Sequence, residues 1–166
     1  MTKFSLLSIA LKLFIAIGTN SYAHDEFTKI ETIAGNGKSG KPRNGNALSV
    51  PISNPFGIHS TPDGGLIIVS FDKHVIFKMD SQYQNLKIIG GTGAKGIAGD
   101  DHTDATTVQE NGPHEVQVDS MGNVYVADTF NHRVGMIDHV TGYWRTIAGT
   151  GAKGFKGDGG PATAAV

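Results

Sequence analysis

Three glycine-rich runs in this chain carry a spacing that cradles phosphate in other settings. Gly35-Asn36-Gly37-Lys38-Ser39-Gly40, Gly91-Thr92-Gly93-Ala94-Lys95-Gly96 and Gly149-Thr150-Gly151-Ala152-Lys153-Gly154 all read Gly-x-Gly-x-x-Gly. A dinucleotide site needs a strand before that run, a helix after it and an acidic residue about twenty further on. No helical period follows any of the three copies. The phosphate-loop order fails as well, because Lys95 and Lys153 are followed by Gly96 and Gly154 rather than by Ser or Thr. The copies recur 56 and 58 residues apart. They are therefore punctuation in a repeat, tight turns where backbone passes close to backbone.

Three other groups have the residue types for chemistry. Asp128-Thr129-Phe130-Asn131-His132-Arg133 brings an acid, an amide, an imidazole and a guanidinium together. In a repeat this reads as structure: Asp128 accepts from turn amides and Arg133 braces a neighbouring strand by charge-assisted hydrogen bonds. His132 recurs as His74 at the same repeat position, which supports that reading. His114 stands where the earlier unit has Phe56, so the repeat does not require it, and it is the foremost ligand-binding candidate. The acidic run Asp100-Asp101-His102-Thr103-Asp104 has the oxygens calcium asks for. Only Asp100 in that run has a repeat partner, Asp158, and a solvated loop is the plainer reading.

The elements that must position these residues are short strands. In the unit spanning residues 112–149, residues 113–118 alternate, with Val116 and Val118 on one face. A turn at 119–123 follows, with Gly122 and Asn123 suited to positive φ. Residues 124–127 form a wholly apolar strand, as expected when both sheet faces are buried. Residues 128–132 turn the chain, 133–137 form a third strand, and 143–148 a fourth. The earlier unit repeats this 58 residues upstream without gaps: Pro55 matches Pro113, Gly64 matches Gly122, His74 matches His132 and Asp80 matches Asp138. Four short strands in a unit of this length are the sequence signature of a propeller blade. In that fold His114, at the start of the innermost strand, approaches the central channel. Tyr125, Tyr143 and Trp144 are read as packing between blades.

The N-terminal stretch from residue 27 matches only the last strand of a unit, since Glu31-Thr32-Ile33-Ala34 parallels Arg145-Thr146-Ile147-Ala148. A lone fourth strand exposes an edge, and propellers remove that edge by closing the ring. The chain is thus expected to be an N-terminal part of a ring. It divides into a last strand at roughly 27–37, full units at 54–93 and 112–151, and a trailing linker at 152–166.

Composition limits the function. Fourteen basic and fifteen acidic residues leave a net charge of −1. No basic field exists to hold nucleic acid. The chain has no cysteine, which removes disulfides, thiol nucleophiles and Cys-based zinc sites. Residues 1–23 have a cationic start, an apolar run, and Ser21 and Ala23 at the −3 and −1 positions of a cleavage site. This is a secretory signal pattern, and it leaves no stable membrane span after cleavage. The mature chain of residues 24–166 is expected to be secreted or periplasmic.

The residues Asn123-Val124-Tyr125-Val126-Ala127-Asp128-Thr129-Phe130-Asn131-His132-Arg133-Val134 resemble the NHL repeat. Thr146-Ile147-Ala148-Gly149-Thr150-Gly151, continuing into Gly157-Asp158-Gly159-Gly160-Pro161-Ala162-Thr163, resembles the linker of long NHL repeats in bacterial secreted proteins. The resemblance implies an all-β chain forming part of a six-bladed β-propeller, with about two complete four-stranded blades present. The earlier unit departs from the motif, with Ser70 in place of Asp128, Lys73 in place of Asn131 and Val75 in place of Arg133. Its loop is therefore not expected to make the same polar contacts.

The leading functional expectation is an exported binding or scaffold module for a protein, glycan or small-molecule ligand. The alternative is a metal-dependent propeller enzyme. Gly112-Pro113-His114 resembles the Pro-His segments of NHL-type lyases that cleave peptidyl-hydroxyglycine, where histidines from several blades bind zinc; gluconolactonase propellers are the other enzymatic likeness. Zinc needs about three protein ligands, and His114 is one. Zinc through His114 and calcium through Asp100 are the two cofactor readings.

Overall fold

The computed structural model describes residues 30–99 and 101–166. The signal pattern at 1–23 and Asp100 lie outside the described residues. Ten strands follow one another: β1 (Gly45–Asn46), β2 (Pro55–Ser60), β3 (Leu66–Ser70), β4 (Val75–Met79), β5 (Asn85–Gly90), β6 (Thr103–Asp104), β7 (Pro113–Val118), β8 (Val124–Asp128), β9 (Arg133–Ile137) and β10 (Tyr143–Ala148). No α-helix forms among the described residues. They make two antiparallel sheets, in the orders β1-β5-β4-β3-β2 and β6-β10-β9-β8-β7. Each sheet is a propeller blade. Every strand of the second stands 58 residues after its counterpart in the first.

Two details differ from the sequence reading. Each blade has five strands, not four, because the linker ahead of it lays a two-residue strand on the outer edge. Gly45 pairs with Leu86, and Asp104 with Tyr143. This strand blunts an otherwise open edge. Residues 30–37 form no strand. Among the described residues no strand of a preceding blade lies beside them. They turn inward instead: Gly35 donates its N–H to Ala47 O at 2.9 Å, and Ala34 enters the core.

Turn chemistry sets the ladders. Gly64 and Gly122 both adopt positive φ, 85° and 92°. Asp80 accepts from Gln84 N at 2.8 Å and Asn85 Nδ2 at 2.9 Å. Asp138, its repeat partner, accepts from Thr141 N at 2.8 Å and Val140 N at 3.0 Å. Between the second and third strands of each blade runs a short 3-10 turn, Phe71–Lys73 and Thr129–Asn131. Each ends on a left-handed histidine, His74 (φ 50°) and His132 (φ 48°). The glycine runs are the close approaches expected of them. A Cβ on Gly91 (φ 82°) would stand 2.0 Å from His74 O.

Two cores hold the blades. One fills the seam between them with Ile67, Val69 and Ile76 from the first blade and Val116, Val126, Ile137 and Trp144 from the second. Ala105 and Val108 of the linker close it. The other covers the outer face of the first blade and includes Phe77, Met79, Leu86, Ala47 and Val50. The two sheets meet along β2 and β7. There Gly57 allows contact with the neighbouring backbone: a Cβ on it would stand 2.9 Å from Val116 N and 3.0 Å from His114 O. Away from that line an open cleft of about 960 Å³ separates the blades, lined by Ile67, Ile89, Lys87, Val124 and His139.

Trp144 is buried in the seam, as the sequence reading had it. Tyr143 and Tyr125 are not seam residues. Tyr143 is exposed, and Tyr125 is half-buried with its hydroxyl donating to Asp119 at 3.1 Å.

Candidate functional site

His114 lies on the end of the molecule where β2 and β7 begin and the 3-10 turns emerge. The close approach at Gly57 places it over the first blade. Its ring centroid is 4.4 Å from that of Phe56 and 6.0 Å, edge-on, from that of Phe71. Phe71 sits 4.9 Å from Phe56 and 6.0 Å from Phe130. Four rings from two blades therefore form one continuous strip. Such tilted and edge-on pairs are the favoured ring geometries. His114 is exposed, and Phe56 and Phe130 remain 45% and 56% exposed. Phenylalanine has no polar atom that gains from water, so exposed rings gathered at one place form an apolar patch. Glu115 and Gln117, both exposed, follow on the same strand.

The structure adds Phe71 and Phe130 to the sequence candidate. The repeat could not point to them, because Phe71 aligns with Thr129 and Phe130 with Asp72. They meet only because the blades dock. Among the described residues no group of three or more His, Cys, Asp or Glu is placed to hold a metal. The partners of His114 are rings, not ligands.

The Asp128 motif is brought together, and it serves the backbone. Asp128 is buried. Its Oδ1 accepts the Asn111 N–H at 2.7 Å, and its Oδ2 accepts from Asn131 Nδ2 and Arg133 Nε, both at 2.8 Å. Arg133 also donates Nη2 to Gln109 O at 3.0 Å and lies over the Trp144 ring at 5.1 Å. Asn131 donates to Gly96 O at 2.7 Å, tying the motif to the glycine loop. The bonds of Asp128 and Arg133 are charge-assisted, and they hold the turn backbone, the neighbouring strand and the linker together. His132 contributes its left-handed backbone. In the first blade Ser70 reproduces part of this pattern: its hydroxyl accepts from Ser53 N at 3.3 Å and donates to Ser53 O at 2.7 Å. This loop keeps the contact to its turn amide but not the bonds that Asp128 makes to an amide and a guanidinium. A hydroxyl can hold the amide, though it offers nothing to a guanidinium.

The acidic run is largely engaged. Asp104 accepts from Thr106 Oγ1 at 2.7 Å and Thr106 N at 2.8 Å, and these bonds hold its carboxyl below the usual range. Asp101 accepts from Thr146 N at 2.7 Å. The later linker runs one residue shorter than the earlier one. Gly149 N donates to Ala162 O as Gly91 N does to Ala105 O.

One polar residue went unnoticed in the sequence. Glu110 is completely buried in the seam, and neither carboxyl oxygen has a hydrogen-bond partner among the described residues. Burial pushes its proton affinity well above the usual carboxyl range. The nearby Asp128 adds to this and Arg133 opposes it. The available signal was the repeat, which puts Ile52 at the matching position.

Residues 111–135 match the family model of the NHL repeat. A Bacteroides thetaiotaomicron protein of unknown function is similar in structure at a TM-score of 0.61, with 16% identity, over 85% of this chain and 33% of that one. An auxiliary nutrient binding protein from Bacteroides ovatus is similar at 0.51, with 20% identity, over 63% and 27%. A streptogramin B lyase is similar at 0.43, with 19% identity, over 61% and 28%. No curated protein matches the chain. The chain spans about a third or less of these solved structures, and at such identities the likeness is one of fold. Among the described residues no helix is long and apolar enough to cross a membrane.

Proposed function

We propose that this chain, which carries an NHL repeat at residues 111–135, is part of a six-bladed binding propeller that takes its ligand on the ring strip of Phe56, Phe71, His114 and Phe130. The observation that carries this reading is the exposure of three of those four rings at one end of two docked blades. Aromatic side chains give large contact area for little entropy cost, and they dominate recognition surfaces. A ligand with a flat apolar face fits them: the face of a sugar ring, an aromatic side chain of a protein, or a planar small molecule. Glu115 and Gln117, exposed on the same strand as His114, offer hydrogen-bonding groups that would fix orientation. The pattern at residues 1–23 supports export, which sets this surface to work in the periplasm or outside the cell.

The test is a binding screen of the full chain against soluble oligosaccharide and peptide panels, repeated with Phe56→Ser and Phe130→Ser together. A hit that weakens at least about tenfold in the double variant, equivalent to about 1.4 kcal/mol, supports the reading. Trp144 fluorescence confirms that the seam is intact. Equal binding by the native chain and the double variant overturns it.

A further inference from the structure

Glu110 belongs neither to a strand nor to a turn motif. It lies in the linker just before β7, and its carboxyl group points into the seam. A Cβ placed on Gly90 of β5 would stand 3.5 Å from Glu110 Oε1, 3.1 Å from Ile76 Cδ1 and 2.8 Å from Ile137 Cδ1. The carboxyl thus shares the space over Gly90 with Ile76 of the first blade and Ile137 of the second. Its backbone is held: Gly96 N donates to Glu110 O at 3.2 Å. The side chain is not.

The charges that act on it come from the second blade. Asp128 repels a carboxylate there, and Arg133 attracts one. Arg133 has already committed Nε to Asp128 and Nη2 to Gln109 O. From the first blade, Ile76 and Gly90 bring no charge. The ionisable groups on that side are His74, whose Nδ1 accepts from Gly112 N at 3.1 Å, and Lys95, whose backbone bridges to Glu110. An ionised carboxyl in this place would lose its hydration with nothing to replace it.

We propose that Glu110 is a proton-operated lock on the seam between the two blades: with its proton the carboxyl stays buried and the blades stay docked, and without it the side chain leaves for water and the blades part at Gly90 and Ile137. The other unit shows what the position requires for packing alone. There Ile52 fills it, facing Gly35, where an added Cβ would stand 3.7 Å from Ile52 Cβ. A carboxyl in place of an isoleucine adds nothing to packing and adds a response to pH.

The sign follows from linkage. The unfolded chain loses this proton near an ordinary glutamate pKa of about 4.3, while the folded chain keeps it to higher pH. Between those two values the folded-to-unfolded ratio falls about tenfold per pH unit, and then it levels. Trp144 is the chain's single tryptophan and is buried in the same core, so it reports the seam directly. The experiment follows acrylamide quenching of Trp144 and the urea midpoint of the full chain from pH 5 to 9. It compares the native chain with Glu110→Gln and with Glu110→Ile, the residue the other unit carries. The expected result is quenching that rises with pH in the native chain and stays low in either folded variant, with the stability gap widening as pH rises. Flat quenching in the native chain, or parallel pH profiles in the native chain and a folded variant, overturns the proposal.

Discussion

The imidazole Nδ1 of His74, on the first blade, accepts the backbone N–H of Gly112, at the start of the second, at 3.1 Å. One side chain thus joins the left-handed corner of one blade to the entry of the next. The bond needs a ring nitrogen without a proton. Burial favours that form and lowers the His74 pKa below its usual value near 6.5, with Lys95 assisting.

Because the folded chain resists protonation of His74 while the unfolded chain does not, this contribution is complete above about pH 6.5. It is lost as pH falls from there toward the lower folded value. In the Glu110→Gln chain, which lacks the opposing pH response of Glu110, urea midpoints measured from pH 8 down to pH 5 are expected to fall across that window. Adding His74→Ala to that chain is expected to cost about 1 kcal/mol at pH 8 and to remove the falling arm.

Asp128→Ala removes the acceptor for three donors at once, including a guanidinium whose side chain is 7% exposed. Breaking a buried pair by deleting one partner costs about 3–5 kcal/mol. Chemical denaturation of Asp128→Ala is expected to show a loss of that size. Asp128→Ser, which copies Ser70, should lose less if Asn111 N keeps a partner, and Arg133→Ala in the Asp128→Ala background should add little further.

Gly135 and Trp144 are a matched pair. A Cβ on Gly135 would stand 1.9 Å from Trp144 Cη2. The first blade solves the same space with the volumes reversed, placing Phe77 and Leu86 at the two positions, both buried in one core. Trp144→Leu is expected to cost about 2–4 kcal/mol as a cavity, and Gly135→Phe to clash. The double variant should recover much of either loss, and a double-mutant cycle in urea measures that coupling. Additive losses would count against the pairing.

The strands and their turns were legible because their signals are local and occur twice. Val116 and Val118 alternate, Gly122 recurs as Gly64, and Asp138 recurs as Asp80, so each unit vouches for the other. The two-residue outer strands, β1 and β6, were not legible, since Gly45–Asn46 and Thr103–Asp104 are too short to show a period. The stretch from residue 27 resembles a last strand in composition; its described part, residues 30–37, forms no strand.

The site divides in the same way. His114 stood out because it breaks the repeat. Phe71 and Phe130 did not, because their meeting depends on how two sheets dock rather than on spacing within one. Hydrophobic alternation and turn residues act over a few positions of chain, and so the sequence determined the blades, the glycine turns and the Asp128–Arg133 brace. Contacts across the seam join residues far apart in sequence and at unlike repeat positions. Tertiary structure alone decided that four rings would form one strip and that Glu110 would be shut away from water.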